Sequence, residues 1–221
     1  MIEAIIFDMD GLLVDSEPCW DAARREMAAE VGVHDWNQSD HHACMGVSTR
    51  EWAEYMIGRL HLDLAWEETA ERIVGKMQAT YARRIPYLPG AVEAVALAAA
   101  HYPVGLASGS ERSLIDIILA DAPMAGKFRT VVCTDTMPRG KPAPDVYLAA
   151  AEGLGVAAER CVCLEDSGNG ILAGAAAGMK VIAVPDPRFP PKPAALARAH
   201  VVLNSLRDFD LPLLDALAAE G

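Results

Sequence analysis

The N-terminal segment constrains the fold most strongly, because an apolar run over residues 2–7 ends in the acidic sequence Asp8-Met9-Asp10-Gly11. Side chains alternate along a strand, so Asp8 and Asp10 point to the same side where the run ends. Two such carboxylates repel each other unless a cation or a proton lies between them. A hard divalent cation such as Mg²⁺ binds carboxylate and carbonyl oxygens. The alternative is a polar strand end solvated in a loop, so the interpretation depends on the rest of the chain.

After residue 86, short apolar runs alternate with helical patterns. We predict strands at residues 2–7, 103–107, 130–133, 160–164, 179–184 and 200–203, and helices near 90–101, 111–121, 144–154, 168–177 and 211–219. The strand segments are apolar on both faces, as a parallel sheet covered by helices requires. This alternation predicts an α/β fold built on a doubly wound parallel sheet.

Residues 17–84 interrupt this alternation. They carry helical patterns at 20–31, 50–60 and 67–83, with no apolar run of comparable strand quality. Two prolines and a glycine between residues 86 and 90 suit a stiff exit from the segment. We interpret residues 17–84 as a helical domain inserted into a core made of residues 1–16 and 85–221. The alternative is that these helices only cover one face of the sheet.

Composition argues against several classes of protein. The formal net charge of −12 over 221 residues disfavours binding to nucleic acid or to an anionic membrane, which requires clustered lysine and arginine. No apolar stretch reaches the roughly 18 residues of a membrane-spanning helix, and the N-terminus does not resemble a signal peptide. The five cysteines have no CxxC spacing, which predicts free thiols in a reducing compartment. We therefore expect a cytoplasmic protein.

Ligands of a doubly wound sheet bind beyond the carboxyl ends of its strands, and the polar motifs of this chain follow predicted strand ends. Besides Asp8 and Asp10, these motifs contain Ser108, Gly109, Ser110, Lys141, Glu165 and Asp166. The serine turn can hold phosphate oxygens at the start of a helix. Taken singly, the serine and the second acidic pair could cap helices and the lysine could be solvated. Four such coincidences favour one shared site.

The types of residue in these motifs predict phosphoryl-transfer chemistry. Two acidic pairs without clustered histidine or cysteine indicate an oxygen-lined Mg²⁺ site and not a zinc site. Gly11 at the fourth position of its motif excludes an EF-hand loop, which needs glycine at the sixth. Asp8 would be the nucleophile that forms an aspartyl-phosphate. Asp10 would protonate the leaving oxygen and then activate water, while Lys141 and Mg²⁺ neutralise the phosphoryl oxygens.

These motifs resemble the four signatures of the haloacid dehalogenase-like hydrolases. The run from Phe7 to Glu17 is similar to the first signature, and Ser108, Lys141 and the pair Glu165–Asp166 are similar to the other three. The resemblance covers the whole chain, and the helical insertion resembles the small α-helical cap of the β-phosphoglucomutase-like branch. Within that branch, the first motif is most similar to that of the sugar-phosphate phosphatases.

The resemblance implies a metal site, a strand order and a kind of ligand. Mg²⁺ would be held by the Asp8 carboxylate, the Asp10 carbonyl and Asp166, with Glu165 nearby. Strands one, two and four of the core would lie side by side. The ligand would be a small phosphorylated metabolite, and the protein would be a monomer, as is frequent in this branch.

Two candidates for substrate contact lie in the insertion. Glu17 closes the first motif, and residues 45–50 resemble the substrate-reading loop of the branch. Arg50 would contact a second anionic or polyhydroxylated part of the substrate, but it is offset by one residue from the usual place and could equally be a surface arginine. Residues 41–44 contain two histidines and a cysteine. We interpret them as part of a polar loop, in preference to a metal cluster.

Individual residues and their positions distinguish a phosphatase from other proteins with similar motifs. Dehalogenases of the superfamily lack the second acid, which is Asp10 here. Mutases of the branch carry a histidine ten residues after that acid, where this chain has Trp20; hydrolysis is therefore preferred to mutase chemistry. A signalling receiver domain places its phosphorylated aspartate on a middle strand, and a phosphate-binding regulator on a decayed scaffold would have lost a motif residue. We expect a sugar or polyol phosphate as the substrate, with pseudouridine, glycerol or flavin phosphate as alternatives.

Overall fold

The computed structural model describes residues 1–45, 49–134 and 137–219. The chain divides into two compact units, one made of Met1–Asp15 with Pro86–Gly221 and the other of Ser16–Ile85. We name them the core unit and the helical unit, and each is described by itself. Over the described residues, none of the helices has the length and apolar character that crossing a bilayer requires.

The core unit is built on a parallel sheet. Its strands are β1 (Ala4–Phe7), β2 (Val104–Ser108), β3 (Thr130–Cys133), β4 (Cys161–Glu165), β5 (Lys180–Ala183) and β6 (Val201–Val202). They are ordered β3-β2-β1-β4-β5-β6, and each neighbouring pair is parallel. The predicted doubly wound α/β fold is therefore confirmed, as is the position of strand one between strands two and four. The strand order reverses between β1 and β4, which is where such sheets bind ligands.

The register of the three central strands brings their polar ends to one edge of the sheet. Phe7, the last residue of β1, lies opposite Leu106 of β2 and Leu164 of β4. All of β1 is fully buried, so its side chains anchor the strand from both faces. The chain leaves this apolar environment at Asp8, whose backbone N–H still donates to the Leu164 carbonyl at 3.1 Å. Asp8 is thus fixed beside the end of β4.

The helical unit contains α1 (Glu17–Glu30), α2 (Gln38–Ala43), α3 (Thr49–Leu60) and α4 (Trp66–Arg83). Helices α1, α3 and α4 correspond to the three predicted ones. The interpretation of residues 41–44 as a polar loop is wrong, because His41 and His42 lie on α2. That helix begins with a capping box, in which Ser39 N donates to Asn37 Oδ1 and Asn37 N donates to Asp40 Oδ2. Residues 46–48 of the predicted substrate-reading loop lie outside the described residues.

The described residues of the core unit also form the α-helices α5 (Ala91–His101), α6 (Arg112–Ala120), α7 (Asp145–Leu154), α8 (Gly168–Ala176), α9 (Pro193–Leu196) and α10 (Leu211–Ala219). Helices α7 and α8 pack against the central strands through a buried apolar cluster that includes Ile6, Cys163 and Tyr147. The five cysteines all lie in the described residues and form no disulfide bond, in agreement with the prediction. The packing of α7 matters for the site, because it brings the Tyr147 hydroxyl to Glu165 at the end of β4.

Candidate active site

The ammonium of Lys141 lies between two carboxylates at the point where the strand order reverses. Its Nζ donates to Asp8 Oδ1 at 2.6 Å, to Glu165 Oε1 at 2.6 Å and to the Ala107 carbonyl at 3.1 Å. These bonds use all three N–H groups of the ammonium. Only 11% of the lysine side chain is exposed, so the three bonds replace nearly all contact with water. This position excludes the alternative that Lys141 is a solvated surface lysine.

Glu165 is the most enclosed acid of the site, with no exposed surface. Its Oε1 accepts from Lys141 and from the Tyr147 hydroxyl, the latter at 2.6 Å. Its Oε2 accepts from the backbone N–H of Ser167 at 3.3 Å and from the Ser167 hydroxyl at 3.1 Å. Ser167 also caps α8, since its Oγ accepts from Gly170 N at 3.0 Å. The second acidic pair therefore does not itself cap this helix.

Three carboxylates form a group that fits a metal ion. Oxygens of Asp8, Glu165 and Asp166 all lie within 4.8 Å of one another. Asp166 Oδ1 and Asp10 Oδ1 are buried without a hydrogen-bond partner among the described residues, which leaves electron pairs for a cation. A donor set made only of oxygen suits Mg²⁺. The residues present therefore fit this ion.

Gly11 gives this group the space that it needs. A Cβ atom at that position would lie 2.1 Å from Asp166 Oδ2, and the backbone has a φ of +77°, which side chains with a Cβ disfavour. The glycine of the first motif therefore lets the chain turn tightly beside Asp166. Its contribution is steric and conformational.

The serine turn after β2 holds the second aspartate of the first motif. Asp10 Oδ2 accepts from the Ser110 hydroxyl and, at 3.3 Å, from the Ser108 hydroxyl. The Ser110 backbone N–H donates to Ser108 Oγ at 3.0 Å. Gly109, between them, has no neighbouring atom within 4 Å of its Cβ direction. The structure thus brings the turn to Asp10 and leaves open space beside Gly109.

Burial shifts the pKa values of the site. It raises the pKa of Asp8 to about 8, with the charges of Glu165 and Asp10 acting in the same direction and Lys141 opposing them. Burial and the neighbouring Glu165 and Asp8 charges also raise the pKa of Asp166. For Lys141, burial disfavours the ammonium, but the adjacent carboxylates outweigh burial and raise its pKa. The site therefore carries more carboxylate than its lysine can neutralise, and a divalent cation would complete it.

This excess of carboxylate predicts that Mg²⁺ stabilises the protein more at high pH than at low pH. A carboxyl whose pKa is raised on folding stabilises the fold at low pH, and that contribution is lost as pH rises through the folded pKa of about 8. Without metal, the melting temperature should fall between about pH 5.5 and about pH 8.5. Added Mg²⁺ should reverse this fall, because it binds the deprotonated carboxylates. Calorimetric melting with and without Mg²⁺ measures both effects, and an Mg²⁺ shift independent of pH would contradict the expectation.

The two predicted contact residues of the insertion both lie in the helical unit. Glu17 Oε2 is 3.5 Å from Nε2 of the buried His41. Arg50 is on α3, where its Nε donates to Glu54 at 2.7 Å and its guanidinium lies 5.9 Å from the Trp66 ring. Its side chain is 66% exposed. A role for either residue in substrate contact stays a prediction.

The structure adds a buried cation that the sequence did not single out. Arg24 on α1 is only 3% exposed and lies 5.3 Å from the Trp20 ring and 5.4 Å from the Trp52 ring. Burial lowers the pKa of Arg24, while the two aromatic faces attract its charge. Its Nε and one terminal nitrogen have no hydrogen-bond partner in the described part of the chain. An arginine within a helical pattern is normally predicted to be exposed, so the sequence alone did not indicate that Arg24 is buried.

Known proteins share this fold and these motifs. A family model described as haloacid dehalogenase-like hydrolase matches residues 5–184. Hexitol phosphatase B of Escherichia coli K12 is 35% identical over 213 residues, which cover 94% of each chain. A probable pseudouridine-5'-phosphatase of Drosophila melanogaster is 34% identical over 211 residues, covering 92% of this chain and 90% of the relative.

A solved structure is also similar to this chain in its three-dimensional fold. A variant of CbbY from Rhodobacter sphaeroides, in complex with xylulose-(1,5)bisphosphate, superposes with a TM-score of 0.80 at 27% identity, covering 94% of this chain and 96% of that one. The predicted family and the predicted class of enzyme, a phosphoric monoester hydrolase, are both confirmed. The chain belongs to the haloacid dehalogenase-like hydrolase family.

Proposed function

We propose that this enzyme hydrolyses a small sugar or polyol phosphate in the presence of Mg²⁺, through an aspartyl-phosphate intermediate on Asp8. The observation that carries the proposal is the position of Lys141, which contacts Asp8 and Glu165 at 2.6 Å beside the Asp8–Asp166 carboxylates. This arrangement supplies a nucleophile and a fixed positive charge at one point. Such a combination suits attack on a phosphoryl group and stabilisation of its oxygens.

In the first half-reaction, a carboxylate oxygen of Asp8 attacks the phosphorus atom. The bond between phosphorus and the ester oxygen breaks, and Asp10 donates a proton to that oxygen so that the product leaves as a neutral alcohol. The hydroxyls of Ser108 and Ser110, both bonded to Asp10 Oδ2, keep its carboxyl beside the serine turn. Lys141 orients Asp8 through its Oδ1.

In the second half-reaction, water attacks the phosphorus of the aspartyl-phosphate. Asp10, now a carboxylate, takes the proton from that water, the bond between phosphorus and the Asp8 oxygen breaks, and inorganic phosphate leaves. When bound at Asp8 and Asp166, Mg²⁺ supplies positive charge for the phosphoryl oxygens. Backbone N–H groups where the serine turn leads into α6 would bind the same oxygens, since the two serine hydroxyls already donate to Asp10.

Trp20 supports hydrolysis over sugar phosphomutase chemistry. Its indole can only donate a hydrogen bond, and it cannot exchange a proton with a sugar hydroxyl at neutral pH. In the helical unit it packs 6.0 Å from Trp52 and 5.3 Å from the Arg24 guanidinium. This environment is aromatic and cationic, and the side chain at position 20 itself carries no acid–base nitrogen such as a histidine would provide.

The names of the relatives support the proposed class of substrate. Hexitol phosphatase B, the probable pseudouridine-5'-phosphatase and the bisphosphate-bound CbbY structure all concern phosphorylated carbohydrates or nucleosides. A panel of hexitol, hexose and nucleoside monophosphates should therefore include good substrates. We further propose that the enzyme is monomeric and cytoplasmic. The lack of disulfide bonds among its five cysteines supports the reducing compartment.

The test is phosphate release with and without metal. We expect the purified protein to hydrolyse p-nitrophenyl phosphate and members of the panel in Mg²⁺, to lose this activity in EDTA, and to regain it when Mg²⁺ is added in excess. The acidic group at Asp8 and Asp166 gives the physical reason, since without a cation its carboxylates repel the substrate phosphate. Hydrolysis that is unaffected by EDTA would remove the metal from the proposal. No hydrolysis of any panel member would favour a phosphate-binding regulator.

A further inference from the structure

The Glu165 carboxylate is held by a complete set of hydrogen-bond donors. Each of its two oxygens accepts two bonds, from Lys141 and Tyr147 on Oε1 and from the backbone N–H and hydroxyl of Ser167 on Oε2. A carboxylate has about four lone-pair positions, so these donors occupy all of them. Glu165 is therefore better suited to orient the lysine than to serve as a direct metal ligand.

On the side away from Lys141 and Tyr147, the Glu165 carboxylate packs against the backbone of α8. A Cβ atom at Gly170, on α8, would lie 1.8 Å from the Glu165 carboxyl carbon. The glutamate thus lies directly against the helix backbone and cannot move further in that direction. The side on which it can move is the one occupied by Lys141 and Tyr147.

Tyr147 contacts both members of the lysine–glutamate pair. Its hydroxyl donates to Glu165 Oε1, and its ring centroid lies 5.0 Å from Lys141 Nζ, within range of a cation–π interaction. The side chain has no exposed surface. A tyrosine in such a place normally has a partner for its hydroxyl, and here that partner belongs to the reaction site.

We propose that Tyr147 is a positioning residue, whose hydroxyl fixes Glu165 so that Glu165 keeps the Lys141 ammonium against Asp8. This inference rests on the proposed phosphatase function. Without the hydroxyl, the charge on Glu165 is less compensated, so the ammonium moves towards Glu165 and away from the nucleophile. The rate of the phosphoryl step then falls, while substrate binding changes much less, because it relies on other groups besides Lys141.

The variant that tests this is Tyr147→Phe, which retains the ring and removes only the hydroxyl. We expect kcat to fall about 10- to 100-fold, as for other groups that orient a catalytic side chain, with KM within about twofold. The matched control is Tyr87→Phe. It removes the same kind of bond, from a tyrosine hydroxyl to Asp121 at 2.9 Å, elsewhere in the core unit, and should leave kcat unchanged.

Two further measurements separate positioning from a structural role. If Tyr147 acts through Glu165, the double variant Tyr147→Phe/Glu165→Gln should be no slower than Glu165→Gln alone. A crystal structure of Tyr147→Phe should show a longer Lys141–Asp8 distance than the 2.6 Å seen here. An unchanged kcat, additive losses or an unchanged lysine position would each overturn the inference. If the wild type hydrolyses nothing, the proposed function fails, and the crystal structure still tests the inference.

Discussion

The Asp8→Asn variant is expected to lose turnover by on the order of 10⁴-fold or more while folding normally. An amide cannot attack phosphorus as a carboxylate does, and no other described carboxylate shares the position of Asp8 at the end of β1. The fold should tolerate the change, because burial already disfavours the ionised form of Asp8 and raises its pKa to about 8. The measurement is kcat on the best panel substrate in saturating Mg²⁺, together with a circular dichroism melt.

The control for this variant is Asp116→Asn on α6. Asp116 is 53% exposed and pairs with Arg112 one helical turn away, so the same chemical change there should leave kcat unaltered. Substantial turnover by Asp8→Asn would remove the covalent step from the mechanism. A loss of folded structure would instead mean that the Asp8–Lys141 pair holds the strand ends together.

The Lys141→Met variant is expected to lose both rate and stability. Methionine preserves much of the length of the side chain but leaves Asp8 and Glu165 as neighbouring buried carboxylates without their cation. Removing one partner of a buried ion pair costs about 3–5 kcal/mol in the free energy of unfolding. We also expect kcat to fall about 10²- to 10³-fold, because the fixed charge that stabilises the phosphoryl oxygens is gone. Urea unfolding without metal and steady-state kinetics in Mg²⁺ measure the two effects.

The position of the lysine, and not its charge alone, explains this expectation. Lys192→Met changes an exposed lysine of the core unit and should alter neither quantity measurably. The stability loss of Lys141→Met should be smaller near pH 5, where Asp8 binds a proton, than near pH 8, because burial raises the pKa of Asp8 to about 8. A stability loss that is equal at both pH values would contradict the buried ion pair as its cause.

Much of the core unit could be predicted from the chain, because its central strands β1, β2 and β4 are buried along their whole length and are therefore mainly apolar. All six strands occur where apolar runs lie between turn residues, and their ends differ from the prediction by no more than two residues. The short helix α2 was missed, because its stability comes from a capping box and from bonds of Asp40 to Tyr55 and Arg59. Such long-range bonds leave no periodic pattern in the sequence.

The candidate site also contains residues that could be predicted from the sequence and residues that could not. Asp8, Lys141, Glu165 and Asp166 could be predicted to meet, since each lies at or after the carboxyl end of a strand in a parallel sheet. Tyr147 could not, because an apolar helical position on α7 predicts a packed ring and gives no information about its hydroxyl. Arg24 could not either, because its burial depends on two tryptophans from different helices. Residues that act by contacting other side chains can be identified only once the packing of helices and strands is known.

The bonds of Lys141 also have a consequence for how the chain folds. Its two ion pairs join segments separated by 133 and by 24 residues in sequence, and the loop that carries it follows β3. Without that loop in place, the like charges of Asp8 and Glu165 lie at the ends of two neighbouring strands and repel each other. In the folded chain, the same ammonium that serves the reaction therefore also relieves the repulsion between these two strand ends.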